Sequence, residues 1–340
     1  MKRNRTGEES KVGGTQRWIV GLDIGGTNMV VGLIPYEGGL PRGLLRGLTL
    51  PTRGGEDVVA RAATMVKESV AGVFREEGPG EVLGIGIGSP GPLNRETGMV
   101  LETPNLGFTN FPLRDLISDA VGYPATLDND ANCATFGEWW QGAGKGARTL
   151  VGLTLGTGIG GGLVLDGEIH HGASDAAAEF GHMTIDTTGR KCKCGNYGCL
   201  EAYASGPNIA ARAREGLEAG MESVLGELVD GRLEEITAAT VYEAVVLGDG
   251  FACEVMIETA KVLGVGIANL LNALNPDAVV IAGGVTRAGD HLFEPLRKEV
   301  RRRAFRSAVE ACSILPAVLP ETAGVIGAAG VFKKDFFGEV

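Results

Sequence analysis

The stretch VGLDIGGT at 20–27 returns about 130 residues later as VGLTLGTG at 151–158, and this repetition restricts the possible architectures more than any other feature of the chain. In the first copy an apolar, β-branched run, Trp18 to Ile24, meets the turn Gly25-Gly26-Thr27 and continues as a second apolar run, Met29 to Ile34. The second copy has its matching run at Leu163 to Leu165. Both read as strand, glycine turn, strand. At about 100–200 residues per domain, two such hairpins in 340 residues predict two similar α/β halves, each offering a glycine turn to a shared cleft.

The remaining pattern fits between the hairpins. Val58, Val59, Ala62, Val66, Val70 and Val73 recur at helical spacing within Glu56 to Glu77, and Val82 to Ile87 reads as a strand. Asp115 to Val121 reads as a short helix, and Ala125 to Leu127 as a strand running into Asp128-Asn129-Asp130. Farther on, Pro207 suits the first turn of a helix and Thr240 with Glu243 forms a capping box. Cys253 to Leu274 is predicted as a long helix closed by Asn275-Pro276-Asp277. Ala278 to Ala282 is a buried strand entering Gly283-Gly284, and Ala323 to Phe336 is helical.

Composition narrows the function. Glycine fills 55 of 340 positions, about 16% against a usual 7%, a density that marks tight turns and backbone lying close to a ligand. The net charge of −11 repels DNA and anionic membrane, so neither is an expected partner and a phosphate must be held by local groups. Residues 1–16 are polar, lack a secretory apolar run and read as a flexible leader. Leu150 to Leu165 is broken by glycines and two threonines, poor material for a span of about 20 apolar residues. A soluble, cytoplasmic protein is expected. Three of the six cysteines, Cys192, Cys194 and Cys199, crowd together and point to a metal site rather than a disulfide scaffold.

The turn LGTGIGG at 155–161 fits G-x-G-x-x-G, but a dinucleotide turn opens a helix, whereas Gly160 to Leu165 continues as a strand. The Walker lysine is also missing. The turn is then either a plain hairpin or one whose backbone N–H groups cradle phosphate oxygens. Its duplication, with Asp23 placed to meet a magnesium ion through water, favours a nucleotide phosphate clamp. In DNDAN at 128–132 the simple role is a helix cap. At a cleft between phosphate-binding halves, however, Asp130 can orient and deprotonate a hydroxyl attacking a γ-phosphate, and an ordinary carboxylate pKa suffices for that.

His182 with Cys192, Cys194 and Cys199 makes a Cys₃His zinc set, which is structural because four protein ligands leave no open position. Glu179 and Glu201 flank that loop. They are either solvated surface carboxylates or acceptors for sugar hydroxyls, joined by the histidine nitrogen that the metal leaves free. Ser89 in IGSPG lacks the leading glycine of a nucleophile elbow, and His170-His171 reads as a loop pair rather than a ligand set. The run RKEVRRRAFR at 297–306 reads as a solvated helix face, with phosphate contact as the alternative.

Taken together, LDIGGTN (22–28), SPGP (89–92), TPNLG (103–107), NDAN (129–132), LGTGIGGGLVLDGEI (155–169), EFGHM (179–183) and CKCGNYGCLEAYASG (192–206) resemble the ROK family of bacterial sugar kinases and sugar-responsive repressors, most of all its glucokinase branch. The resemblance covers about residues 17–335. It implies an α/β, actin-like ATPase (ribonuclease H-like) duplicated fold of two domains with a cleft between them: 17–134 plus 323–340 as the small domain, and 135–322 as the large one carrying the zinc loop. It implies ATP-dependent phosphorylation of glucose at the 6-hydroxyl with Asp130 as base. The sugar would be held by Asn105, Asn129, Asp130, Glu179, His182 and Glu201. Gly25, Gly26, Thr27, Gly156, Thr157 and Gly158 would meet the phosphates, and Gly283 and Gly284 the nucleoside.

The implied cofactors are a structural Zn²⁺ and Mg²⁺ with ATP, and the implied assembly is a homo-oligomer, a dimer or tetramer. Asp175 and Ala178 stand where many members carry glycine, so the 170–178 loop departs from the pattern on the side expected to set sugar preference. The alternatives are a kinase for mannose, fructose or an N-acetylhexosamine such as N-acetylmannosamine, polyphosphate as donor, or a non-enzymatic regulator. Against the regulator stand the acidic balance and the roughly 16 residues before the first strand, too few for a helix-turn-helix.

Overall fold

Five strands of the first half, β1 (Gln16–Ile24), β2 (Asn28–Pro35), β3 (Arg42–Leu48), β4 (Gly80–Ser89) and, after a three-stranded excursion, β8 (Ala125–Asn129), form one sheet in the order β3-β2-β1-β4-β8. The computed structural model behind this description covers residues 15–340 except Pro104 and Pro320. Most of the expected leader, 1–14, therefore lies outside the described residues. The excursion is β5 (Leu93–Asn94), β6 (Met99–Thr103) and β7 (Phe108–Phe111). Helix α1 (Gly55–Glu77) and helix α2 (Leu113–Val121) cover the sheet, and α3 (Asp130–Gln141) leaves the end of β8.

The second half repeats the plan. β9 (Thr149–Leu155), β10 (Ile159–Leu165), β11 (Glu168–Ile169), β12 (Ala278–Ala282) and β13 (Ser313–Pro316) are ordered β11-β10-β9-β12-β13. Both sheets join a central hairpin antiparallel and then add two parallel strands on its other side. The helices are α4 (Glu201–Ala204), α5 (Gly206–Glu218), α6 (Leu225–Leu228), α7 (Ala238–Val246), α8 (Gly250–Leu274), α9 (Asp290–Arg303), α10 (Arg306–Ala311) and α11 (Ala323–Phe337). This is the expected duplicated actin-like fold of two lobes. Among the described residues no helix is long and apolar enough to cross a membrane.

Period-two alternation explains how the layers meet. On β1, Trp18, Val20, Leu22 and Ile24 join the core beneath α1, while Ile19 joins the cluster around α11. On β4, Ile85 and Ile87 face the α1 side, and between them a Cβ on Gly86 would overlap the Ala328 carbonyl of α11. The strand sequence GIGIG thus reads as isoleucine toward one helix layer and bare backbone toward the other. α3 and α11, each following the last strand of its own sheet, pack against each other and onto the opposite sheet, α3 on β9 and β10 and α11 on β1 and β4. Between the two helices, a Cβ on Gly327 would overlap the Cys133 carbonyl.

Some local expectations shift. α7 is capped by Thr237, whose hydroxyl accepts the Thr240 N–H while Thr240 Oγ1 accepts that of Thr237, so the box is Thr237 with Thr240 and not Thr240 with Glu243. α8 starts three residues before the expected Cys253, because the Asp249 carboxylate caps it through the Ala252 N–H. β3 and the excursion strands went unforeseen.

Candidate active site

The parallel strands of both sheets end at one cleft. In the first lobe the register sets Asp23 beside Gly88, Gly88 beside Asp128, and Ser89 beside Asn129. In the second, Thr154 lies beside Ala282, just before Gly283. The cleft between them holds about 480 Å³ and is lined by Gly26, Asn105, Asn129 and Asp130 from one lobe. Gly156, Thr157, Gly158, Glu179, His182, Glu201, Gly283 and Gly284 line it from the other. Most of the residues singled out in the sequence therefore meet. Asp23, Gly25 and Thr27 are outside that lining: Asp23 is half-buried beside the first turn of α11, where a Cβ on Gly324 would strike its carboxylate.

Asn129 takes the capping role at α3. Its Oδ1 accepts the N–H groups of Ala131 (2.9 Å) and Asn132 (3.2 Å), while Asp130 Oδ1 also accepts from Ala131 (2.9 Å). Asp130 thus sits at a helix N-terminus, which favours its charged form. Burial works against that, and so does the nearby charge of Glu179; the net effect raises the pKa of Asp130 above the ordinary aspartate range. Asp23 is pushed up to about 7, mainly by burial and then by the charge of Asp130. Two neighbouring carboxylates that resist ionising together are hard oxygen donors suited to a divalent cation, so the residues fit magnesium.

The turns use some of their own amides. Gly25 N–H donates to the Asn28 carbonyl (2.8 Å) and Gly156 N–H to that of Gly158 (2.9 Å). Glu201, at the start of α4, accepts the Ile159 N–H at 2.9 Å and so ties the cysteine loop to the second hairpin. Asn105 is exposed and lies against Gly26. Beside the cleft, sharing Gly156, Thr157 and Gly284 with it, a second cavity of about 660 Å³ is lined by Pro207, Ile236, Ala238, Tyr242 and Met256, with Arg214 and Arg287 also present. Sequence reasoning reached only its glycine edge, since these apolar residues come from α5, α7, α8 and the turn before α7 and share no local motif.

The metal set converges. The ligand atoms of His182, Cys192, Cys194 and Cys199 lie within 4.8 Å of one another, with Cys194 Sγ and Cys199 Sγ 3.7 Å apart and His182 Nδ1 3.8 Å from Cys192 Sγ. Tetrahedral zinc with bonds of about 2.3 Å to sulfur gives edges near 3.8 Å, so the donors fit that ion. With no cation, burial pushes the Cys199 thiol up to about 12, whereas a bound cation would hold it as thiolate. Nδ1 is the ring nitrogen beside the Cys192 thiol, and His182 also lines the cleft.

Two other segments gain partners. His171 lies in a loop, as expected, and its Nε2 lies 2.7 Å from Asp128 Oδ2, a buried carboxylate that sequence reasoning passed over. The place of Asp128 after an apolar strand is visible in the sequence, but its partners are not. The basic run is the expected solvated face, with Arg301, Arg302, Arg303 and Arg306 exposed; Arg302 and Arg303 bind Glu299, whose carboxyl they hold down at about 2, and no residue of 297–306 lines the cleft.

Comparison with known proteins agrees with this geometry. The profile described as ROK family matches residues 19–335. The chain is 37% identical over 325 residues to a glucokinase of Halalkalibacterium halodurans, covering 94% of this chain and 96% of the relative. It is 38% identical over 321 residues to a glucokinase of Thermotoga maritima, covering 94% and 98%. A crystal structure of a ROK family glucokinase from Streptomyces griseus, in complex with glucose and AMPPNP, superposes with a TM-score of 0.79 at 33% identity, over 92% of this chain and 98% of that one.

Proposed function

The chain belongs to the ROK family, and on that premise we propose that it is a glucokinase, transferring the γ-phosphoryl group of ATP to the 6-hydroxyl of glucose. The observation that carries this reading is Asp130, a carboxylate at the junction of a polar wall (Glu179, His182, Glu201) and the paired glycine turns.

Glucose would lie against Asn105, Asn129, Glu179, His182 and Glu201, its 6-hydroxyl toward Asp130. The carboxylate aligns the hydroxyl oxygen with the γ-phosphorus and takes its proton as the new O–P bond forms and the bond from the γ-phosphorus to the bridging oxygen breaks, releasing ADP. In a loose transition state that transfer comes late, so a base of modest strength serves. The cradle for the phosphates falls to the amides of Gly26, Thr27, Thr157 and Gly158, because those of Gly25 and Gly156 close their own turns. Asp23 would hold Mg²⁺ with ATP, an ion that offsets charge on the transferring phosphoryl group when bound. The nucleoside would occupy the apolar cavity beyond Gly283 and Gly284. Closing the cleft excludes the water that would hydrolyse ATP.

The Cys₃His set is assigned to structural zinc, and metal analysis should find about one ion per chain, retained during turnover. A fully folded, active, metal-free preparation would refute that. The domain boundaries (17–134 plus 323–340, and 135–322), a cytoplasmic location and assembly as a dimer or tetramer belong to the same reading. Coupled measurement of ADP release over glucose, mannose, fructose and N-acetylmannosamine, with ATP, GTP or polyphosphate as donor, tests the substrates. Glucose with ATP should have the highest kcat/KM. A different hexose ahead by ten-fold would overturn the sugar assignment, and no phosphorylation of any sugar would overturn the kinase.

A further inference from the structure

Asp128 is 1% exposed at the end of β8, and the chemistry above makes no use of it. Its two oxygens are divided between different parts of the molecule. Oδ1 accepts the backbone N–H of Asn129 (2.7 Å) and the side-chain amide of Asn132 (3.0 Å), both at the start of α3. Oδ2 meets Arg95 Nε at 3.1 Å and His171 Nε2 at 2.7 Å. Arg95 continues the network, donating to Asp335 on α11 (2.8 Å) and lying with Nη1 3.3 Å from His171 Nδ1. A neutral imidazole protonated on Nε2 satisfies both of its contacts, donating to Asp128 and accepting from Arg95.

The segment held by these contacts needs holding. Asp175 and Ala178 both have left-handed backbone, φ 56° and 64°, which is unfavourable for residues with a Cβ. The Asp175 carboxylate accepts the Arg95 backbone N–H at 3.0 Å. Asp175, Ala176, Ala177 and Glu179 line the same cleft as Asp130. A single buried carboxylate therefore grips the strand end that presents Asn129 and Asp130 and, through Arg95 and His171, the loop that forms the opposite wall.

We propose that Asp128, with Arg95 and His171, is a positioning residue that clamps the 170–178 loop against the Asp130 strand end and so sets the width of the sugar pocket. The proposal rests on the kinase reading. In Asp128→Asn the amide still accepts the Asn129 N–H, but the negative charge facing Arg95 and His171 is lost. KM for glucose should rise about ten-fold with KM for ATP within two-fold of wild type, since no residue of 170–178 lines the cavity assigned to the nucleoside. His171→Ala should behave like Asp128→Asn, and His171→Gln, which keeps a donor for Asp128, should recover to within about three-fold of wild type. The double variant Asp128→Asn/His171→Ala should be no worse than either single one, because both break one linkage.

Proportional shifts in both KM values, or multiplied effects in the double variant, would mean that the network merely holds the fold and would overturn the clamp. His171 lies in a loop outside both sheets and keeps some exposure, so its variants disturb the core less than Asp128→Asn does. Hydrogen exchange of residues 170–178, read without sugar or nucleotide, separates the two layers of inference. A wild-type protein that phosphorylates nothing would defeat the kinase reading, whereas unchanged exchange in His171→Ala would defeat the clamp whatever the activity.

Discussion

Asp130 has two opposed influences on it at the start of α3: helix-end amides that favour its charge, and burial with Glu179 nearby that disfavours it. Asp130→Asn keeps the shape and removes the base, so kcat should fall by at least about 10³ while glucose binding, followed by calorimetry, changes less than about three-fold. Retained turnover would dismiss Asp130 from the mechanism. Asp23 gives a sharper test through linkage. Its folded pKa of about 7 exceeds the ordinary 3.8, so its contribution is fully present below 3.8 and is lost as pH rises through 7. Metal-free Asp23→Asn should therefore match wild type near pH 3.5 and be more stable at pH 8, by about 4 kcal/mol at most, while losing ATP-dependent activity. Denaturant melts at several pH values would show it, and parallel curves would exclude the raised pKa that burial and then Asp130 impose on Asp23. Asp23 was legible because it interrupts an apolar run two residues before a glycine turn, and Asp130 because it stands beside Asn129 just past another such run. Asp128 was not, because its partners Arg95 and His171 lie 33 and 43 residues away and only the tertiary fold brings them together.

At the level of elements, the excess of glycine has a further use beside the turns and cleft backbone that composition suggested. Some glycines do face the cleft, and a Cβ on Gly156 would enter open space there. Many others let helices lie directly on strands or on each other, as Gly86 does for α11 and Gly327 does where α11 crosses α3. Identical substitutions should separate the two uses. Gly327→Ala forces a methyl group against the Cys133 carbonyl and should cost about 2–4 kcal/mol in a denaturant melt. Gly156→Ala should leave stability within about 0.5–1 kcal/mol and raise KM for ATP several-fold. If Gly156→Ala destabilises as much as Gly327→Ala, the open space at that turn is not what the chain uses it for. The hairpin repeat was readable because a turn, a glycine and two apolar runs are all local. β3 was not, since its residues alternate between half-buried and exposed and carry little apolar signal.

Over the whole molecule, the two sheets have one topology, and the helix that ends each half rests on the sheet of the other. α3 begins at Asp130 and α11 begins beside Asp23, so both helices that cross between the lobes start at the cleft. A sugar bridging Asn105 and Asp130 of one lobe to Glu179, His182 and Glu201 of the other adds contacts only if the lobes approach, and the crossing helices are the elements about which they can turn. With a net charge of −11, approach of the lobes gains little from long-range attraction, so the bound sugar must supply the closing contacts. Glucose alone should therefore lower the radius of gyration in solution scattering by roughly 0.5–1 Å, ATP alone should lower it less, and Asp130→Asn should still close. Closure by nucleotide without sugar would place the trigger in the glycine turns and require ATP to be bound first.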